Sequence, residues 1–347
     1  MEQPGLPECA ARRGPLRRLR EALATLARGA TSLVLELVLV KPLCIFIWWF
    51  SQRANTIHFH GRAELRASIE RALAQGRPVY VASNHVSWFD DPVIPIALFG
   101  TGQRAALEIV LLAAFASLCA WLSPSMLAPP LAALGIAGAL VAAARSPARK
   151  IWWTLGDLVN LSDAKVLRGK LALTRSRPPG PLLRALVAVA DVAIPHFMRT
   201  ESVRTVFVDR RNDEQARRAN ERAVEQTLDI AERLEPVWVF FEGGRTKTPG
   251  VIAPARRGIG SLILGARERG RRPWVGVVYH RGMERLIPPG GSRFLSTGHS
   301  VEVRWTEFDV EGSKAVGEGD AQAIADAVRA KAVRLQEAER EERQARA

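Results

Sequence analysis

The sequence predicts an α/β domain, a mainly parallel twisted sheet flanked by helices, with a membrane-associated helical segment at its N-terminus. Three observations carry this. Compact apolar runs alternate with helical patterns from residue 56 to about 315, the signature of parallel strands joined by crossover helices. Three of the runs end in polar, chemistry-bearing residues, at the strand ends where such sheets place their sites. An Arg-rich lead and a long apolar stretch precede them all.

In chain order, residues 11–28 read as a basic helix carrying Arg12, Arg13, Arg17, Arg18, Arg20 and Arg28. Thr31–Phe50 is mostly apolar and ends in Trp48-Trp49-Phe50. Its length approaches the ~20 residues of a bilayer span, but Glu36, Lys41 and Pro42 interrupt it. A helix dipping into the interface, anchored by Trp and Arg, fits this pattern. A buried helix of a soluble domain is the alternative.

Ile57–Gly61 reads as a strand, Glu64–Gln75 as a helix, and Pro78–Ala82 as a buried strand ending in Ser83-Asn84-His85. Asp90-Asp91-Pro92 reads as a helix start, with an Asp cap and Pro in the first turn. Ala105–Leu122 and Met126–Ala144 are apolar segments joined by Ser123-Pro124-Ser125. They form either a re-entrant hairpin or two buried helices, each being near the minimum spanning length. Ile151-Trp152-Trp153 suggests an interfacial turn, and Arg175–Pro181 a loop.

Val203–Val208 is a strand followed by Asp209-Arg210, and Glu214–Leu234 a charged helix. Val237–Phe241 is a buried strand followed by Glu242-Gly243-Gly244-Arg245-Thr246. Ile259–Arg267 is helical, Trp274–Tyr279 a strand, and Val301–Trp305 a half-exposed strand. Ala321–Arg343 is a charged helix with much of its surface solvated. The domains expected are therefore 1–55, membrane-associating; 56–315, with an apolar insertion at about 105–145; and 316–347, the charged C-terminal helix.

The chain has 347 residues, 48% of them hydrophobic, and a formal charge of +14 carried mostly by Arg. That balance favours anionic partners such as a lipid surface or phosphorylated molecules. No nucleic-acid motif or aromatic-basic platform accompanies it, so no nucleic-acid partner is expected. Cys9, Cys44 and Cys119 are far apart and lack metal-ligand spacing, so neither a disulfide framework nor a metal site is expected.

His85 and Asp90 would point ~140° apart on one helix, so they meet only across a turn. A carboxylate on one imidazole nitrogen leaves the other as a base able to deprotonate an alcohol. After the buried strand Val237–Phe241, Gly243 and Gly244 let backbone amides approach an oxyanion or phosphate. Arg245 offers a planar fork for phosphate, and Arg210 a second cation. Glu242 can orient Arg245 or a substrate hydroxyl. No nucleophile elbow, Walker loop or dinucleotide fingerprint is present, which disfavours an acyl-enzyme or a nucleotide-driven reaction.

Together these residues resemble the glycerophospholipid acyltransferase family that includes the 1-acylglycerol-3-phosphate acyltransferases. Asn84–Asp90 matches its His-x4-Asp block. Val206-Phe207-Val208-Asp209-Arg210 is similar to its hydrophobic-Phe-Ile-Asp-Arg block, and Phe240–Thr246 to its Phe-Pro-Glu-Gly-Thr-Arg-Ser block. Phe241 replaces the family Pro and Gly244 the Thr, and Val275–Tyr279 lacks the Pro of the fourth block.

The resemblance implies His85 as base with Asp90 as its partner. It implies Arg210, Glu242, Gly243, Gly244 and Arg245 at the acceptor. It further implies acyl-CoA or acyl-carrier protein as donor substrate with no bound cofactor, a lysophospholipid acceptor, and work at an anionic membrane on the cytoplasmic face of the inner membrane. Asp90-Asp91-Pro92, Arg257-Gly258-Ile259-Gly260, and Gly282-Met283 followed by Leu286-Ile287-Pro288 are similar to the tafazzin branch, which moves acyl chains between phospholipids without CoA. A catalytically silent anionic-lipid-binding protein is the alternative from another class.

Overall fold

The structure is a computed structural model that describes residues 54–87, 90–99, 153–157, 205–209, 211, 213–246, 248, 250–286 and 297–346. The basic helix at 11–28, the apolar stretch at 31–50, the paired apolar segments at 105–144 and the loop at 175–181 lie outside them. Among the described residues, no helix is long and apolar enough to cross a membrane.

Strand β1 (Thr56–Phe59) leads into α1 (Arg62–Ala74), which buries Leu65, Ile69 and Ala72 on one face at helical spacing. The helix closes with Arg77 N–H on Ala72 O and Gly76 N–H on Leu73 O, both at 3.0 Å, the bond pair of a Schellman cap. Pro78 then blocks further helix, and β2 (Val79–Ser83) follows, buried at every position. Helix α2 spans Asp90–Phe99. Next come β3 (Trp153–Asp157), β4 (Thr205–Val208) and α3 (Glu214–Glu232), whose N-cap Asp213 accepts from Ala216 N. They are followed by β5 (Val237–Phe240), α4 (Gly258–Glu268), β6 (Trp274–Arg281) and the short α5 (Met283–Leu286). The chain ends with β7 (Ser300–Phe308), the short α6 (Lys314–Glu318) and α7 (Ala321–Arg346).

The strands form one sheet in the order β1-β7-β6-β2-β5-β3-β4. Every pairing is parallel except β6 with β7. The expected α/β class and mainly parallel sheet are present. Of the turn expected at Ile151–Trp153 only Trp153 is among the described residues, and it opens β3, which joins β4 to β5. Aromatic residues suit strands as well as interfaces, and this run is too short for its period to decide.

Side chains alternate cleanly across the sheet. Tyr80, Ala82, Val237, Val239, Val275 and Val277 face a core built with α3, α4 and α7. Val79, Val81, Trp238, Trp274 and Val278 face a second core built with α1 and α2. A central strand buried on both faces reads as an unbroken apolar run, which is why β2 was legible.

Helix α7 is charged on its outer side but buries Ile324, Ala325, Val328 and Ala332. Its first turn crosses α4 so closely that a Cβ on Gly260 would run into the carbonyl oxygen of Ala321. Backbone cannot give way as a side-chain tip does. Gly260→Ala is therefore expected to push α7 away and destabilise the domain by about 1–3 kcal/mol, seen as a lowered melting temperature; an unchanged melt would refute the close contact.

Candidate active site

Strand β2 stands between β5 and β6, and the loops beyond the three carboxyl ends meet. Phe241 N donates to Ser83 O at 3.1 Å, carrying the β2–β5 ladder past the end of β5. On the other side Asn84 and His280 are tied by three bonds. Asn84 Oδ1 accepts from His280 N at 2.9 Å, and Asn84 Nδ2 donates to His280 O at 2.9 Å. His280 Nε2 donates to Asn84 O at 2.8 Å.

His85 is thus delivered from a segment fixed on both flanks. Its own peptide is gripped as well. Its N–H donates to Glu242 Oε1 at 2.8 Å, and its C=O accepts from Thr246 N at 2.8 Å. The imidazole stacks on Phe240, with centroids 4.1 Å apart and planes 20° apart. Its Nδ1 lies 3.0 Å from Asp90 Oδ2. A carboxylate only accepts, so Nδ1 carries the proton and Nε2 keeps its lone pair. The His85 side chain is 15% exposed and that of Asp90 0%. A substrate can reach the ring, while the carboxylate is shielded from water.

Asp90 Oδ2 also accepts from Val86 N at 2.6 Å and from Ser87 N at 2.8 Å. The expected helix cap is therefore corrected in one respect. Asp90 does open α2, but its carboxylate turns back on the preceding turn and on His85, because those amides are the donors the tight turn leaves without strand partners. The five-residue spacing works through this turn.

Glu242 is buried and joins three segments, since its Oε2 accepts from Ala253 N at 2.8 Å while Oε1 holds His85. Glu242 thereby braces the loop that carries His85, with one backbone amide on each of its oxygens. Burial pushes its pKa up to about 7, with the amides of His85 and Ala253 pulling the other way and Asp90 adding repulsion.

An acid whose folded pKa lies above its ordinary 4.5 binds more protons in the folded state between those values, so its contribution favours folding below about 4.5 and is lost as pH rises to about 7. The melting temperature of the wild type relative to Glu242→Gln is expected to fall across that window; a flat difference would count against the shift.

Gly243 has φ +64°, a left-handed conformation that favours glycine, and a Cβ there would lie 2.8 Å from Arg256 Cγ. Its N–H donates to Phe240 O at 3.0 Å, so this amide is engaged in the turn. Gly244 is half-buried and Arg245 exposed at the mouth of the loop.

Arg210 lies outside the described residues. The strand leading to it, β4, stands three positions from β2, about 14 Å at ~4.8 Å per step. Asp209 beside it is held by Arg211 at 2.7 Å and by Asn220. The loops carrying His85 and Glu242 converge, while the one at Asp209 sits at the sheet's far edge.

Sequence reasoning missed His280, whose Nε2 is 3.8 Å from Asp90 Oδ2 and whose pKa burial lowers. The available signal was a lone histidine at the end of a buried strand, as at His85.

Residues 171–280 match the family model described as Acyltransferase. The matched stretch contains Asp209, Glu242–Arg245 and His280, and begins after His85 and Asp90. No curated protein matches the chain.

Proposed function

We propose that this chain, a member of the acyltransferase family, moves a fatty acyl group from acyl-CoA or acyl-carrier protein to the free hydroxyl of a lysophospholipid such as 1-acylglycerol-3-phosphate. The observation that carries the reading is the His85–Asp90 pair, with Nδ1 committed to the carboxylate and the His85 side chain partly exposed. In this scheme Nε2 takes the hydroxyl proton as the oxygen attacks the acyl carbonyl, and Asp90 stabilises the imidazolium that forms. The tetrahedral adduct then collapses with loss of the donor's thiolate, to which the imidazolium returns the proton. Arg245 and Arg210 supply cations for the acceptor's phosphate. The Arg-rich residues 11–28 and apolar residues 31–50 hold the enzyme at an anionic, cytoplasmic membrane face.

A second reading, transfer between phospholipids without CoA, draws on the tafazzin-like residues. Two of these have packing roles instead. Gly260 admits α7, and Gly282 (φ +96°) would meet the Ser300 carbonyl oxygen if it carried a Cβ. The test is purified full chain in vesicles with lysophosphatidate and either acyl-CoA, acyl-carrier protein or diacyl phospholipid, with products weighed by mass spectrometry. Transfer from a thioester donor is expected. Transfer from diacyl phospholipid alone would select the second reading, and none from any donor would leave a silent lipid-binding protein.

A further inference from the structure

The segment between Gly250 and Ala255 has no regular structure, yet the carbonyls of Gly250, Ile252, Ala253 and Ala255 are bonded to side chains of α7. Gln322 Nε2 donates to Ala255 O at 3.0 Å. Arg329 donates from Nε to Ala253 O at 2.8 Å and from a terminal nitrogen to Ile252 O at 2.9 Å. Gln336 Nε2 donates to Gly250 O at 2.8 Å, and Arg340 reaches the same oxygen at 3.0 Å.

Gln322, Arg329 and Gln336 recur every two helical turns and so share one stripe of the helix. The loop positions they meet descend from 255 to 250 as the helix ascends. The loop therefore runs antiparallel along α7, pinned at intervals that match the helix repeat.

Only one rung bears on the site. The Ala253 carbonyl that Arg329 holds belongs to the residue whose N–H grips Glu242 Oε2, and the other oxygen of Glu242 holds the His85 peptide. A planar guanidinium spanning two successive carbonyls fixes both peptide orientations at once, which a single donor does not. The far end of the loop is anchored independently, by Arg256 N on Phe241 O at 2.7 Å.

We propose that Arg329 is a positioning residue of the active site, acting from the C-terminal helix through Ala253 and Glu242 on the placement of His85. The activity readout rests on the acyl-transfer reading; the placement itself does not. Arg329 bonds the loop carbonyls rather than His85 or Asp90, so its loss misplaces the base without removing a substrate contact. The expected signature is a lower kcat with little change in KM.

The experiment compares full-length wild type, Arg329→Ala, Arg329→Lys and Arg334→Ala, the last an exposed position on the same helix. Each is assayed for lysophosphatidate acylation and for amide exchange in peptides covering 250–256 and 83–87. Arg329→Ala is expected to lower kcat by about 10–100-fold, to leave KM within roughly threefold, and to speed exchange in both peptides. Arg329→Lys is expected to recover part of both effects, and Arg334→Ala to match wild type.

Unchanged kcat, unchanged exchange at 83–87, or an equal loss in Arg334→Ala overturns the proposal. Should Arg329→Ala not fold, Arg329→Lys and Arg329→Gln decide it on the same two readouts. Should wild type transfer no acyl group, the proposed function falls, and the exchange comparison alone still decides the positioning role.

Discussion

Replacing His85 by Ala is expected to lower acyl transfer by about 10²–10⁴-fold, roughly 3–5 kcal/mol of barrier, while the domain stays folded. The separation of the two effects comes from which atoms hold the loop. Glu242 binds the His85 N–H and Thr246 binds its C=O, and Ala supplies both. Asp90 loses one donor of three and keeps the Val86 and Ser87 amides. What disappears is the ring on Phe240, and with it the lone pair that the proposed mechanism assigns to the base. Initial rates with acyl-CoA and lysophosphatidate, together with a circular-dichroism melt, check both halves. Near-normal turnover would exclude His85 as the base.

Asp90→Asn is expected to damage catalysis and folding together. One buried carboxylate oxygen takes three donors, and Oδ1 is buried without a protein partner. The amide of Asn can turn its oxygen to the three donors, but its NH2 then occupies the Oδ1 position with nothing to accept its hydrogens. An unsatisfied buried donor costs about 1–3 kcal/mol. The charge that stabilises the imidazolium is lost as well, so turnover is expected to drop by about 10²-fold or more. Unlike His85→Ala, this variant combines a lower melting temperature with a lower rate. A full-rate, fully stable Asp90→Asn would remove Asp90 from both roles.

Much of the sheet was legible because β2, β5 and β6 are short apolar runs bounded by turn residues, and their lengths exclude helices. β3 was not, since Trp153–Asp157 offers too few residues for an alternation to be counted and contains Gly156. Strand order is not written locally at all. Nothing in the run Trp274–Arg281 says that it pairs with β2, so His280 could not be placed behind Asp90 from sequence. Helix α7 illustrates the converse. Its charges read as a solvated face, yet Arg329 turns its guanidinium, and Gln336 its amide, onto the loop 250–255. Side chains that bond to carbonyls leave no residue preference in the loop they bind. The pairing of His85 with Asp90 was readable because a carboxylate closing a tight turn after a buried strand has few other destinations.

Residue 241 gives the molecule a mechanical property of its own. An imino acid at this point, as the related block usually carries, has no hydrogen to give to the Ser83 carbonyl. With Phe241 the rung forms, and the two strands stay zipped right up to the segment that bears the imidazole. That flank of the imidazole-bearing segment is therefore tied by one more backbone bond than an imino acid at this position would allow.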